Sequence, residues 1–123
     1  MEKDLKDIPF KDLCARLPYK VKISIPELWY NNKKRIEILN EIFKGDDDLY
    51  RVNSSGMLIR YIKPYLFPLS SMTEEQQINL TKFVANGIKG ENILYDWYNK
   101  NHFDYRGLIE KGLAIDATNL NIY

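Results

Sequence analysis

One cysteine, one histidine and no long apolar run set the first limits on this chain of 123 residues. The lone thiol, Cys14, cannot close an intramolecular disulfide or supply a multi-cysteine zinc site, so a reducing, cytoplasmic setting is expected. The start, Met1 to Asp7, is charged with no apolar run behind it, and no signal peptide is expected. No stretch approaches membrane-spanning length, which leaves no reason to expect a membrane partner. Charge of one sign is also missing. A net charge of +1 is not the basic footprint of a nucleic-acid-binding domain, although a local patch stays open. There is no serine or cysteine elbow for a hydrolase triad, no internal repeat and no low-complexity tract.

What is there describes a folded protein. A content of 45% hydrophobic and 28% charged residues argues against disorder, and 123 residues suffice for one domain with a real core but not for two. The organising stretch runs from Ile62 to Gln76. Pro64 and Pro68 fix φ and remove backbone donors, which disfavours a central strand and predicts a stiff connector over residues 63–72. Tyr65, Leu66, Phe67 and Leu69 are too apolar for a solvated linker, so the connector is expected to lie across the core. Thr73 with Gln76 forms a capping box that opens a helix.

Before the connector, Phe10, Leu13, Cys14 and Leu17 form one face of a helix over residues 10–17, ended by Pro18, with Cys14 as a small buried hydrophobe. The period then changes to two. Tyr19, Val21, Ile23 and Ile25 face one way in a half-buried strand, while Lys20, Lys22 and Ser24 face the other. Leu28 to Tyr30 reads as a short strand, Asn31-Asn32 as a turn, and Arg35 to Phe43 as a further strand. Leu49–Val52 and Met57–Ile62 pair around Asn53-Ser54-Ser55-Gly56. After the connector, Leu80, Phe83, Val84 and Ile88 stripe a helix that Gly87 and Gly90 end; Ile93, Leu94, Trp97 and Tyr98 line a second. Asp104 caps a third, with Leu108 and Ile109 inward and Gly112 as its stop. The expected fold is α+β in a single domain, 1–123. It has an N-terminal helix, a curled antiparallel meander of four to five strands over 19–62 (a small SH3-like barrel being one form), about three helices over 73–113 and a loose tail, 114–123.

Three blocks carry a resemblance: Asp12 to Tyr19, Lys63 to Leu66 followed by Ser70 to Glu75, and His102 to Ala114. In that order they are similar to a family of short proteins encoded by gut bacteria of the Bacteroides type and by their phages and prophages. Phe67 stands where that family often carries a basic residue, and Glu27 to Arg60 matches only as a strand pattern. The resemblance implies a phage or mobile-element setting in the cytoplasm of a bacterial host cell, and it carries over no known activity.

Three chemistries are weighed. His102, Asp104 and Arg106 bring an imidazole, a carboxylate and a guanidinium within five residues, a set able to do acid–base work. A helix-end His and an N-cap Asp explain the same residues without catalysis, and the expectation is no enzyme and no cofactor. Asp46-Asp47-Asp48 lacks the alternating acids and closing Glu of a calcium loop, so no metal is expected. Lys20, Lys22, Lys33, Lys34 and Arg35 can surround Trp29 and Tyr30 as a basic patch for nucleic acid or nucleotide. The favoured reading is a non-enzymatic binding protein. Nine tyrosines and two tryptophans exceed what a core of this size needs, and the surplus, with Trp29 and Tyr30 as the candidates, would hold a protein partner or a second copy of the chain.

Overall fold

The computed structural model describes residues 2–26, 34–86 and 92–123. The fold is α+β. Helix α1 (Glu2–Arg16) precedes strands β1 (Lys22–Pro26), β2 (Lys34–Ile38), β3 (Ile42–Lys44), β4 (Tyr50–Val52), β5 (Met57–Leu58) and β6 (Lys63–Leu66). Helices α2 (Glu74–Asn86) and α3 (Asn92–Lys100) and a short strand β7 (Ile115–Asp116) follow. The chain divides into two compact units: residues 1–65 together with Tyr123, and residues 66–122. The strand expected at Leu28–Tyr30, the Asn31-Asn32 turn and the stop at Gly87 to Gly90 lie outside the described residues.

In the first unit α1 starts well before residue 10 and runs through Pro9, although a proline there removes one intrahelical hydrogen bond. Its inward face is not the expected stripe. Asp12, Leu13 and Arg16 are fully buried, whereas Cys14 is exposed. A 3₁₀ turn, Leu17–Tyr19, and a left-handed Lys20 (φ 57°) end the helix, so the alternation begins at Val21 and not at Tyr19. Val21, Ile23 and Ile25 are buried as their period requires, but Ser24 on the other face is buried as well.

The strand expected from Arg35 to Phe43 is two strands in two sheets. β2 pairs antiparallel with β1, and β3 pairs with β4, which pairs with β5. The break falls at Leu39-Asn40-Glu41, and one side chain holds it open. Asn53, 2% exposed, accepts the Asn40 and Glu41 N–H groups on Oδ1 (2.8 and 3.3 Å). Its Nδ2 donates to the Ile38 carbonyl (2.8 Å) and to Glu37 Oε1 (3.1 Å). Its backbone N–H reaches the Glu41 carbonyl and its own carbonyl accepts the Gly56 N–H, each at 3.1 Å. Asn tolerates the left-handed backbone this needs (φ 54°). Chain that would otherwise continue as ladder is thus bonded to a side chain instead, and the meander is divided.

β6 corrects the reading of residues 63–66 as a connector without strand structure. Ile23 lies opposite Pro64, and Ser24 opposite Lys63, in an antiparallel pair. Continued by one residue, that register sets Lys22 opposite Tyr65. A hydroxyl bridges the Lys22 N–H and the Tyr65 carbonyl. The Lys22 N–H donates to the Tyr123 hydroxyl (2.8 Å), which donates to the Tyr65 carbonyl (2.7 Å). Lys22 and Tyr65 therefore direct their bonding groups toward each other, and alternation makes Ile23–Pro64 a non-hydrogen-bonded pair. The donor that Pro64 lacks is one that would have pointed away from β1. Pro64, Tyr65 and Leu66 are buried, as expected of residues crossing a core.

In the second unit the Leu66 carbonyl accepts the Ala117 N–H (2.8 Å), and Phe67 bridges in parallel to Phe103. The capping box of α2 forms as read: Gln76 N–H donates to Thr73 Oγ1 (3.1 Å), and Thr73 N–H to Gln76 Oε1 (2.8 Å). No third helix follows α3; residues 101–114 are turns. The tail is not loose, because Ala114 and Ala117 are buried and the Asp116 carboxylate accepts both the N–H and the hydroxyl of Thr118.

Two outcomes follow for urea unfolding. Asn53→Ala should lose about 2–4 kcal/mol, since it strands buried donors and places alanine in the left-handed region. Asn53→Gly, free of that backbone cost, should lose about 1 kcal/mol less; equal losses would assign the whole effect to hydrogen bonding. For Tyr123, enclosure of the hydroxyl raises its pKa above the ordinary value of about 10. The neutral form is the one the folded state keeps, so this contribution is complete below pH of about 10 and fades as pH rises further. Tyr123→Phe should cost about 1–3 kcal/mol at neutral pH, and the gap to wild type should narrow above pH of about 10. A gap that stays constant or widens there would contradict the bridging role.

Candidate interaction surface

The residues nominated from sequence for chemistry are largely engaged in closing backbone. Phe103 N–H donates to the Tyr98 carbonyl (2.9 Å) and His102 N–H to the Asn99 carbonyl (3.3 Å). With His102 left-handed (φ 63°), this is a Schellman termination of α3, His102 standing where glycine is usual. The edge-on contact of Tyr98 with Phe103, ring centres 6.4 Å apart, is the apolar contact that accompanies such an ending. Asp104 is buried, and its two carboxylate oxygens accept the Leu108 and Ile109 N–H groups (2.8 and 2.9 Å). The turn it opens is closed at Gly112 (φ 72°), through Leu113 N–H to the Leu108 carbonyl and Gly112 N–H to the Ile109 carbonyl. Asp104 and Gly112 thus start and stop a turn where a helix was expected. Arg106 donates to the Tyr105 hydroxyl (3.1 Å), with its guanidinium 5.0 Å from that ring.

Among the described residues the basic set is spread out. β1 and β2 are antiparallel with Lys22 opposite Ile38 and Lys34 opposite Pro26. Lys22 and Lys34 therefore stand four residues apart along the ribbon, about 13 Å at about 3.3 Å per residue. Arg35 is paired with Glu37 at 2.6 Å, and the Lys22 ammonium lies 5.5 Å from the Tyr123 ring. Lys20 is exposed on its left-handed turn. Lys33, Trp29 and Tyr30 lie outside the described residues. In the acidic turn, Arg51 donates to Asp47 at 2.6 Å and holds that carboxyl below the ordinary aspartate range. Among the described residues no three metal-ligating side chains come together. Cys14 is exposed, and the desolvation its sulfur does feel pushes the thiol up, away from a reactive thiolate.

What the second unit does present is apolar and aromatic. α2 and α3 pack on each other, yet the stripe expected to be inward on α2 is not covered. Ile78, Phe83 and Val84 on α2, with Leu94 and Tyr95 on α3, are between 37 and 54% exposed. Leu80 is half-buried, and no side chain described on α2 is buried. Tyr95 stacks at 5.0 Å against Tyr105, which stacks at 5.6 Å against Tyr98; Trp97 is buried against Phe103 with its plane tilted by only 7°. Tyr95, Tyr98 and Tyr105 therefore form an aromatic platform edged by Arg106 and continuous along α3 with Leu94. Sequence reasoning put Tyr98 on the lining stripe of α3 and passed over Tyr95 and Tyr105. The signal was the i, i+3 spacing of Tyr95 and Tyr98, which differs from the stripe that Trp97 follows inward.

Comparison of the chain with protein-family models, curated proteins and solved structures gave no match.

The one fully buried ion pair, among the described residues, is Asp12–Arg16 within α1, at 2.8 Å. The i, i+4 spacing was open to view, but not the burial. Removing one partner strands a charge, whereas removing both does not. Arg16→Met should cost about 3–5 kcal/mol, and adding Asp12→Leu should recover a substantial part of that loss in the same urea-unfolding assay. Additive losses would mean that the pair acts only through its separate contacts.

Proposed function

We propose that this chain is a non-enzymatic binding protein that holds a protein partner on the apolar face of α2 and α3. The observation that carries the reading is the exposure of Phe83 and Val84, on the Leu80 side of α2, and of Leu94 and Tyr95 on α3; Ile78, two positions before Leu80, stands on the opposite side of α2. Covering a fully exposed large apolar side chain is worth about 1.5–3 kcal/mol, and Phe83, Val84, Leu94 and Tyr95 are a little under half exposed, so each leaves roughly half of that for a partner to gain. The tyrosine platform beside it offers rigid contact area at low entropic cost, with Arg106 at its edge as a charge-bearing anchor. A nucleic-acid reading receives less support, since the cations that would carry it are spread along a ribbon or already paired. The resemblance to phage-borne chains of Bacteroides-type bacteria suits an accessory role in such a cell.

Capture of partners from host lysate by wild type and by the double variant Phe83→Glu/Val84→Glu tests the reading, with light scattering on each protein alone. Both positions are exposed, so the variant should keep its circular dichroism and thermal midpoint. A species retained by wild type and reduced at least about tenfold by the double variant is the expected outcome. Identical capture by both proteins, together with a monomeric mass for each, would remove the proposal.

A further inference from the structure

The first unit contains a hollow of about 80 Å³, lined by Leu49, Tyr50, Leu58, Ile59 and Arg60. Its origin is in the hairpin. Arg51 lies opposite Leu58 in the β4–β5 pair, a register that would go on to set Tyr50 opposite Ile59 and Leu49 opposite Arg60. The 3₁₀ turn over Ile59–Tyr61 takes the chain off the ladder first. The open end of the hairpin is thus splayed, and the side chains that would have packed across it line a cavity. Phe10 backs one wall, its ring 4.4 Å from that of Tyr50.

Two features say what would fit. The volume is far below the roughly 300–1,000 Å³ of a small-molecule or cofactor site, and matches a single aliphatic side chain. Arg60 is the only charged residue in the lining. It is exposed, stacks on Tyr61 at 5.0 Å, and has no carboxylate within ion-pair distance among the described residues. The surface of the hollow is almost wholly apolar, so Arg60 walls it with its aliphatic stem while its guanidinium stands over the neighbouring Tyr61 ring; an apolar group and an anion attached to each other suit that pairing. A chain ending in leucine carries both on one carbon atom, and arginine binds a carboxylate through two parallel N–H donors.

We propose that this hollow is a docking site for the C-terminal residue of a partner protein, its leucine-like side chain between Leu49, Tyr50, Leu58 and Ile59 and its carboxylate on Arg60. The site lies wholly in the first unit, so it stands or falls independently of the α2–α3 face.

The test follows backbone amide shifts of the whole chain during titration with a short peptide ending in leucine with a free carboxylate. The same peptide amidated, the same peptide ending in glycine, and octanoate are the controls. Saturable shifts at Leu49, Tyr50, Leu58, Ile59 and Arg60 are expected, and both amidation and Arg60→Gln should weaken binding at least about threefold, the measure of a solvent-exposed ion pair. Rising salt should weaken it further. Arg60 is exposed, so the variant should fold. No saturable shift at those residues up to about 10 mM peptide would overturn the proposal. So would equal binding of the amidated or glycine-ended peptide, an unaffected Arg60→Gln variant, or tighter binding of octanoate, which would make the site one for free aliphatic acids.

Discussion

A buried strand that contains proline must find other partners for the bonds it cannot make, and the first unit is arranged around that constraint. β6 lies buried against β1 with Pro64 in it, a position usually reserved for edges and bulges. Phase is what makes it tolerable: Pro64 sits opposite Ile23 where no ladder bond to β1 is due. In the next pair along, the Tyr123 hydroxyl stands between the Lys22 N–H and the Tyr65 carbonyl. One hydroxyl both accepts and donates, so each backbone group keeps a partner. Tyr123, which supplies that hydroxyl, belongs to the first unit.

Asn53 solves the same kind of problem by side chain. Leaving a sheet exposes N–H and C=O groups, and buried ones must be bonded to something. At Asn40 and Glu41 the something is an amide, whose carbonyl and NH₂ can serve both kinds of orphan. The result is a sharp division of strands that would otherwise be one. The positive φ of Asn53 ties that service to the β4–β5 turn, because the residue that starts the turn is also the residue that breaks the β2–β3 run.

What could be read directly from the chain was local and self-contained. The Thr73–Gln76 box and the period of Val21, Ile23 and Ile25 need only neighbours a few residues away, and each is found as read; Gly112 does end a segment, but a turn and not the helix expected. What failed depended on distant residues. No spacing rule ties Asn53 to Asn40 or Tyr123 to Lys22, so the split of β2 from β3 and the fastening of the tail were hidden. Cys14 and Arg16 exchanged roles for a related reason. Hydropathy puts a thiol inward and a guanidinium outward, but Asp12, one turn earlier, neutralises Arg16 and lets both be buried. On α2 periodicity identified a stripe correctly and then assumed that something within the chain would cover it. Of the candidate surface, the apolar content was legible while its address was not, since Tyr105 meets Tyr95 and Tyr98 only after α3 has ended and turned.

The division of labour between polar and apolar groups bears on mechanism. A general acid or base has to present a free lone pair or proton to a substrate, within about 3 Å of the reacting atom. Asp104 has both oxygens held by amides, and Asp47 and Arg51 hold each other. Asn53 is fully committed to backbone and to Glu37. Freeing any of them would unmake a turn, so catalysis at these groups would compete with the fold itself. Apolar side chains face no such conflict. Phe83, Val84, Leu94 and Leu49 can be covered by a partner without releasing a single backbone bond. Association through the apolar surface, as proposed above, would leave the bonds made by Asn53, Asp47, Arg51 and Asp104 in place.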